Sequence, residues 1–169
     1  MGIKQKNFED TKAYKLGKMG EDKVIKYLQE RGWYVVPSRD YNKASTGQKA
    51  PCLQGRLKGY VLPDLDASHP SKEKRRWIEV KTREVSPRFR NHGFSTHGIA
   101  ARHYQDYRAV HGITKAEVWL LIYEYKEENL LQANLFDLDP YECQCRPCRR
   151  GDPNHCKMTY GGMVFFNSG

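Results

Sequence analysis

The chain has 169 residues, 38% apolar and 12% aromatic, with 29 Lys and Arg against 20 Asp and Glu for a net charge of +9. That length suits one domain with its own core, and the aromatic share lifts the chain out of the disordered range despite a mean hydropathy of −0.83. No stretch is apolar for long enough to span a bilayer and no export signal is legible, so the expectation is a cytoplasmic protein, nucleoid-associated or phage-encoded, with a polyanionic partner.

In chain order, Gly17, Gly20, Val24, Ile25 and Leu28 form one stripe and predict a helix over about Thr11 to Arg31, stopped at Gly32. Glu21 falls within that stripe, where a carboxylate costs free energy unless something pairs with it. Trp33 to Pro37 reads as a short strand and Tyr41 to Lys58 as a long basic loop. Gly59 to Ala67 is a second extended piece, and Arg75 to Thr82 is the strand that returns antiparallel to it. On that returning strand Ile78 and Val80 point one way and Trp77, Glu79 and Lys81 the other. A carboxylate and an ammonium therefore share one face, which reads as the wet one.

Ser86 to Thr96 is a further loop, and a helix is expected from about Ile99 to Val110. Ala116 to Tyr125 is the most apolar segment and reads as a buried strand, with Leu130 to Leu138 beside it and Met163 to Phe166 as a closing strand. Helix, strands, helix and strands in that order predict an α/β or α+β fold, a central mixed sheet flanked by helices.

If the hairpin forms, Asp64, Glu79 and Lys81 meet at one end of it, with Glu21 above them on the first helix. Taken singly, each has an ordinary reading as a rim, turn or solvated strand residue. Together, Pro63-Asp64, fourteen intervening residues and Glu79-Val80-Lys81 resemble the Pro-Asp…Glu-x-Lys signature of the restriction-endonuclease-like nucleases. The stretches LPDLDA and WIEVKTR resemble in particular nucleases of the archaeal Holliday-junction-resolvase type and related phage enzymes. The helix bearing Gly20-Glu21 resembles that family's first helix, which carries its first acidic residue.

The resemblance covers about Lys15 to Tyr125 and implies a restriction-endonuclease-like core over residues 1–140. It also implies Mg²⁺- or Mn²⁺-dependent hydrolysis of DNA phosphodiesters by an endonuclease directed at junctions or branched DNA, as a homodimer if junctions are the target. Asp64 and Glu79 would then be direct metal ligands with the carbonyl of Val80, and Glu21 would act through water or on a second ion. Lys81 would orient or help deprotonate the attacking water and stabilise developing charge. Arg83, Arg88, Arg90, Arg102 and His103, with Thr82 and Tyr104, are candidates for gripping the DNA backbone, against the alternative of a solvated basic surface. Asp66 is a spare carboxylate. Some relatives carry Gln-x-x-x-Tyr on the second helix; here Gln105 is followed by Ala109, which speaks against a place among the helicase-associated exonucleases.

Four of the five cysteines, Cys143, Cys145, Cys148 and Cys156, crowd into one segment. In a chain without an export signal, clustered thiols read as metal ligands, most simply a structural zinc site with His155 as a substitute ligand. An iron–sulfur cluster with Cys52 as its early member, or unliganded thiols or disulfides, are the alternatives. Residues 141–169 are thus expected to form a Cys-rich metal-binding segment and closing strand packed on the core. The competing function is a noncatalytic, zinc-stabilised nucleic-acid-binding module. Three acids facing a polyanion weigh against it unless a metal neutralises them.

Overall fold

The computed structural model describes residues 11–39, 51–84, 96–138, 141–142 and 163–167. Helix α1 runs over Lys12–Gln29, and the Thr11 hydroxyl caps it by accepting the Tyr14 N–H at 3.2 Å. The chain reverses at Gly32, whose φ of +80° suits a residue without a Cβ, and the Trp33 N–H closes back on the Leu28 carbonyl at 3.1 Å. Strand β1 (Tyr34–Pro37) follows.

The long basic loop is not wholly irregular: β2 (Cys52–Gln54) pairs antiparallel with β3 (Gly59–Val61) as a ribbon of its own. The extended piece expected over Gly59 to Ala67 is therefore broken in the middle. Leu62, Pro63 and Asp64 form the bend, since proline has no N–H to carry a ladder onward. Strand β4 (Leu65–His69) then pairs antiparallel with β5 (Lys74–Arg83), Leu65 opposite Ile78 and Asp66 opposite Trp77, so the expected hairpin forms.

Beyond β5, Thr96–Ala100 is strand β6, and α2 occupies Ala101–Thr114. This helix is the crossover that lets β7 (Glu117–Glu124) lie parallel to β5, with β8 (Asn129–Asn134) antiparallel outside it. The main sheet has the order β1-β4-β5-β7-β8 and is mixed. Strand β10 (Met163–Asn167) joins β6 and the short β9 (Tyr141–Glu142) in a separate sheet and does not close the main one.

Alternation along β5 and β7 splits the core in two. Ile78, Val80 and Leu121 pack against Val24 and Leu28 of α1. Trp77, Val118, Leu120 and Ile122 pack against Tyr107 and Val110 of α2. The two helices thus cover opposite faces. It follows that the Glu79 face of β5 is not wet: Glu79 is only 3% exposed, because α2 lies over it.

Candidate active site

Extending the β4–β5 register by one residue sets Asp64 beside Glu79, on the face that α2 covers. The Asp64 Oδ2 accepts the Val80 N–H at 2.8 Å, so that backbone group leaves its ladder role to fix a carboxylate. Glu79 is held at both oxygens. Lys81 donates to one through a short ion pair, and the Tyr107 hydroxyl donates to the other at 2.5 Å. Tyr107, 1% exposed, belongs to the buried stripe of α2 and brings its polar tip over the sheet.

The bend that presents Asp64 is clamped from the turn just after β1. Fully buried Ser38 donates its hydroxyl to the Pro63 carbonyl at 2.5 Å and its N–H to the Asp64 carbonyl at 2.8 Å. Its neighbour Arg39 donates to Glu21 at 2.7 Å, and Lys18 lies 3.8 Å from the same carboxylate. Glu21 is therefore at the edge of the α1 stripe rather than in its middle, and its partners are cations, not the Asp64–Glu79 pair. Its charge still reaches Asp64. Gly20 allows α1 to come this close: a Cβ there would stand 1.8 Å from the Thr82 Oγ1. That Oγ1 is buried and has no hydrogen-bond partner among the described residues.

Crowding of like charge and loss of water set the protonation of the group. Burial first, and the Glu79 charge second, raise the Asp64 carboxyl to a pKa of about 8, against the pull of Lys81 and the Val80 N–H. Burial by itself would lower Lys81, but Glu79 and Asp64 outweigh it and raise the ammonium above its ordinary value. Burial, then Glu79 and Asp64, also push the Tyr107 hydroxyl well above the usual tyrosine range, so it stays a donor. His103 lies tilted beside Tyr107 with ring centroids 6.0 Å apart. Burial lowers its pKa and outweighs the opposing Glu79 charge, so near neutral pH it offers a hydrogen bond rather than a charge.

The donor set suits a hard divalent cation. Asp64 and Glu79 offer oxygens only, and a positive charge between them would offset the repulsion that keeps Asp64 protonated. Among the described residues no three His, Cys, Asp or Glu side chains gather closely enough to hold a metal by themselves. Magnesium does not require three, since it is commonly held by one or two carboxylates together with waters and substrate phosphates.

Of the other expected residues, Arg83 is exposed on the Glu79 face of β5, and Arg102 is exposed in the first turn of α2. Asp66 is committed to a two-pronged ion pair with Arg75, at 3.0 and 2.6 Å. Cys52 lies on β2 opposite Val61. Arg88, Arg90, Cys143, Cys145, Cys148, His155 and Cys156 lie outside the described residues. Sequence reasoning missed Ser38, Arg39 and Tyr107. Only Tyr107 left a signal: with Val110 it marks the buried stripe of α2, and it stands four residues after His103. No helix among the described residues is long and apolar enough to cross a membrane.

No protein-family model matches the chain, and no curated protein sequence does. Among solved structures, that of Archaeoglobus fulgidus Hjc, a Holliday junction resolvase from an archaeal hyperthermophile, aligns with a TM-score of 0.48 at 16% identity. The alignment covers 73% of this chain and 80% of that one.

Proposed function

We propose that the chain is a divalent-metal-dependent deoxyribonuclease, an endonuclease for branched DNA, whose active centre is Asp64, Glu79 and Lys81. One observation carries this reading: Asp64 and Glu79 are packed side by side at the mouth of a hairpin, with a raised Asp64 pKa and Lys81 as the cation bonded to Glu79. Such a cluster is costly to bury and does little for stability that apolar side chains would not do better. It makes sense as a site poised for a cation and a phosphodiester in a chain of net charge +9.

A divalent cation held by Asp64 and Glu79 would supply Lewis acidity toward a phosphoryl oxygen and a more acidic bound water. The chain's own residues supply positioning and charge. The Val80 N–H fixes one Asp64 oxygen and leaves the other for ligation, while the Tyr107 hydroxyl fixes one Glu79 oxygen and Lys81 bonds the other, which a cation would share with it. The raised pKa of Lys81 keeps it an ammonium, which favours stabilising the charge that builds on phosphorus oxygens over taking a proton from water. Glu21, held by Arg39 and Lys18, contributes field rather than a direct contact.

The test is cleavage of labelled four-way junction, flap, duplex and single-stranded DNA in Mg²⁺, Mn²⁺ or EDTA. Cutting is expected with either metal, none with EDTA, and a loss of about 10²-fold or more in Lys81→Ala and Asp64→Ala. Tight binding without cleavage of any substrate would instead establish the noncatalytic DNA-binding module.

A further inference from the structure

The β2–β3 ribbon ends in the turn Gly55-Arg56-Leu57-Lys58, and Leu57 is 95% exposed, the most exposed large apolar side chain among the described residues. The turn itself is tight. The Gly55 N–H donates to the Lys58 carbonyl at 3.0 Å, and a Cβ on Gly55 would come within 2.9 Å of that oxygen. The ribbon's base is fastened to the core. Leu53 and Tyr60 pack against the cluster containing Tyr107, the Leu62 N–H donates to the Pro51 carbonyl at 2.9 Å, and the Val61 N–H donates to Asp106 of α2 at 3.3 Å. Arg56 is exposed beside Leu57, and the Lys58 ammonium lies over the Tyr60 ring, 4.8 Å from its centroid.

We propose that this tip is a DNA wedge, with Leu57 entering the gap between unstacked bases at a branch point and Arg56 and Lys58 taking the flanking phosphates. The proposal rests on the nuclease reading of the Asp64–Glu79 site. A leucine held in water by a pinned turn has no apolar partner among the described residues, and cations on both sides fit it to a polyanion rather than to an apolar protein face. Minor-groove and architectural proteins use apolar side chains in this way to part base steps, and a gap that already exists at a branch costs less to enter than a stacked duplex. The position is also right. Strand β3 ends three residues before Asp64, and Leu57 is seven residues from it, a reach of at most about 25 Å along an extended chain. The wedge would thus lie within about seven nucleotides of the cleaved phosphate on one strand.

The experiment compares wild type with Leu57→Ala and with Arg56→Gln/Lys58→Gln, in Ca²⁺ so that nothing is cut. Binding is measured to a four-way junction and to a continuous duplex of equal length, each carrying 2-aminopurine in place of adenine at the centre. Leu57→Ala is expected to bind the junction about tenfold or more weakly, to lose the rise in 2-aminopurine fluorescence, and to bind duplex and melt as wild type does. The double glutamine variant is expected to weaken both DNAs and flatten the salt dependence. Equal junction affinity and equal fluorescence in Leu57→Ala would overturn the wedge while leaving the nuclease intact. A loss of self-association in Leu57→Ala with unchanged DNA binding would overturn it in favour of a contact between copies. If wild type neither binds nor cuts any DNA, the nuclease reading falls and the wedge with it.

Discussion

Glu79 is held by two donors, one at each oxygen, and the two are not equivalent. Lys81 is partly exposed and two residues away on the same strand, whereas Tyr107 is buried and comes from another element. Removing the hydroxyl in Tyr107→Phe leaves a buried carboxylate oxygen without its donor, a loss of about 1–3 kcal/mol. Urea unfolding in EDTA at pH 7 is expected to show a lower midpoint with an unchanged slope, and an unchanged midpoint would mean that the carboxylate finds water instead. Asp64 gives a prediction of opposite character. Its pKa is raised from 3.8 to about 8 in the folded chain, so between those values the folded state holds a proton that the unfolded state has released. Its contribution to stability is complete below about pH 4 and is lost as pH rises through about 8. Without metal, the difference in midpoint between wild type and Asp64→Asn is therefore expected to move steadily against wild type across that window. A flat difference would show that Asp64 is already ionised. Of these residues Asp64, Glu79 and Lys81 were legible in the sequence, because strand alternation and a preceding proline are local patterns. Ser38, Arg39 and Tyr107 act on partners 25, 18 and 28 residues away, and such pairings leave no periodic trace.

At the scale of elements, the site depends on how closely α1 lies on β5. Gly20 is buried against Thr82, and the space a Cβ would need is already filled by the Thr82 Oγ1 at 1.8 Å and its Cβ at 2.9 Å. Gly20→Ala is expected to cost about 1–3 kcal/mol through overpacking, and the displaced helix would carry the neighbouring Glu21 away from Arg39. Thr82→Ala alone removes a buried hydroxyl that has no partner among the described residues and is expected to be neutral or slightly stabilising. In the double variant the Gly20→Ala penalty should shrink without vanishing, since the Thr82 Cβ remains. Thermal melts of the four proteins close this cycle, and full additivity would mean that the helix does not touch the strand there. The helix and strands around this contact were readable in the sequence because stripes of 3.6 and 2 residues are set by burial on one side. Two features were not. The bend at Pro63 is held by Ser38, just past the end of β1 and 25 residues away, and the dryness of the Glu79 face is set by α2, whose cover over the sheet is a tertiary fact.

The whole molecule carries +9, yet its cations are not equivalent toward a bound polyanion. Arg83 is exposed two residues beyond Lys81 on the face that bears Asp64 and Glu79, and Arg102 is exposed where α2 begins, next to His103. Lys26 is exposed on α1, across the sheet from that face, and sits 4.0 Å from Glu30. If DNA lies across the Asp64–Glu79 mouth, each arginine neutralises a phosphate and releases its counterion, whereas Lys26 contributes only to the distant field, which salt screens within about 10 Å at 0.1 M. The slope of log affinity against log salt is then expected to fall by about 0.9 in Arg83→Gln and again in Arg102→Gln, and to stay unchanged in Lys26→Gln. The affinity loss should be similar for junction and duplex, because phosphate contacts position the protein without reading structure. A Lys26 variant that loses as much slope as the arginine variants would show that the charge acts as a diffuse cloud and would place the DNA elsewhere. A slope lost only with the arginines would tie the binding surface to the same end of the sheet as the carboxylates, and that coincidence is what a nuclease requires and a passive basic surface does not.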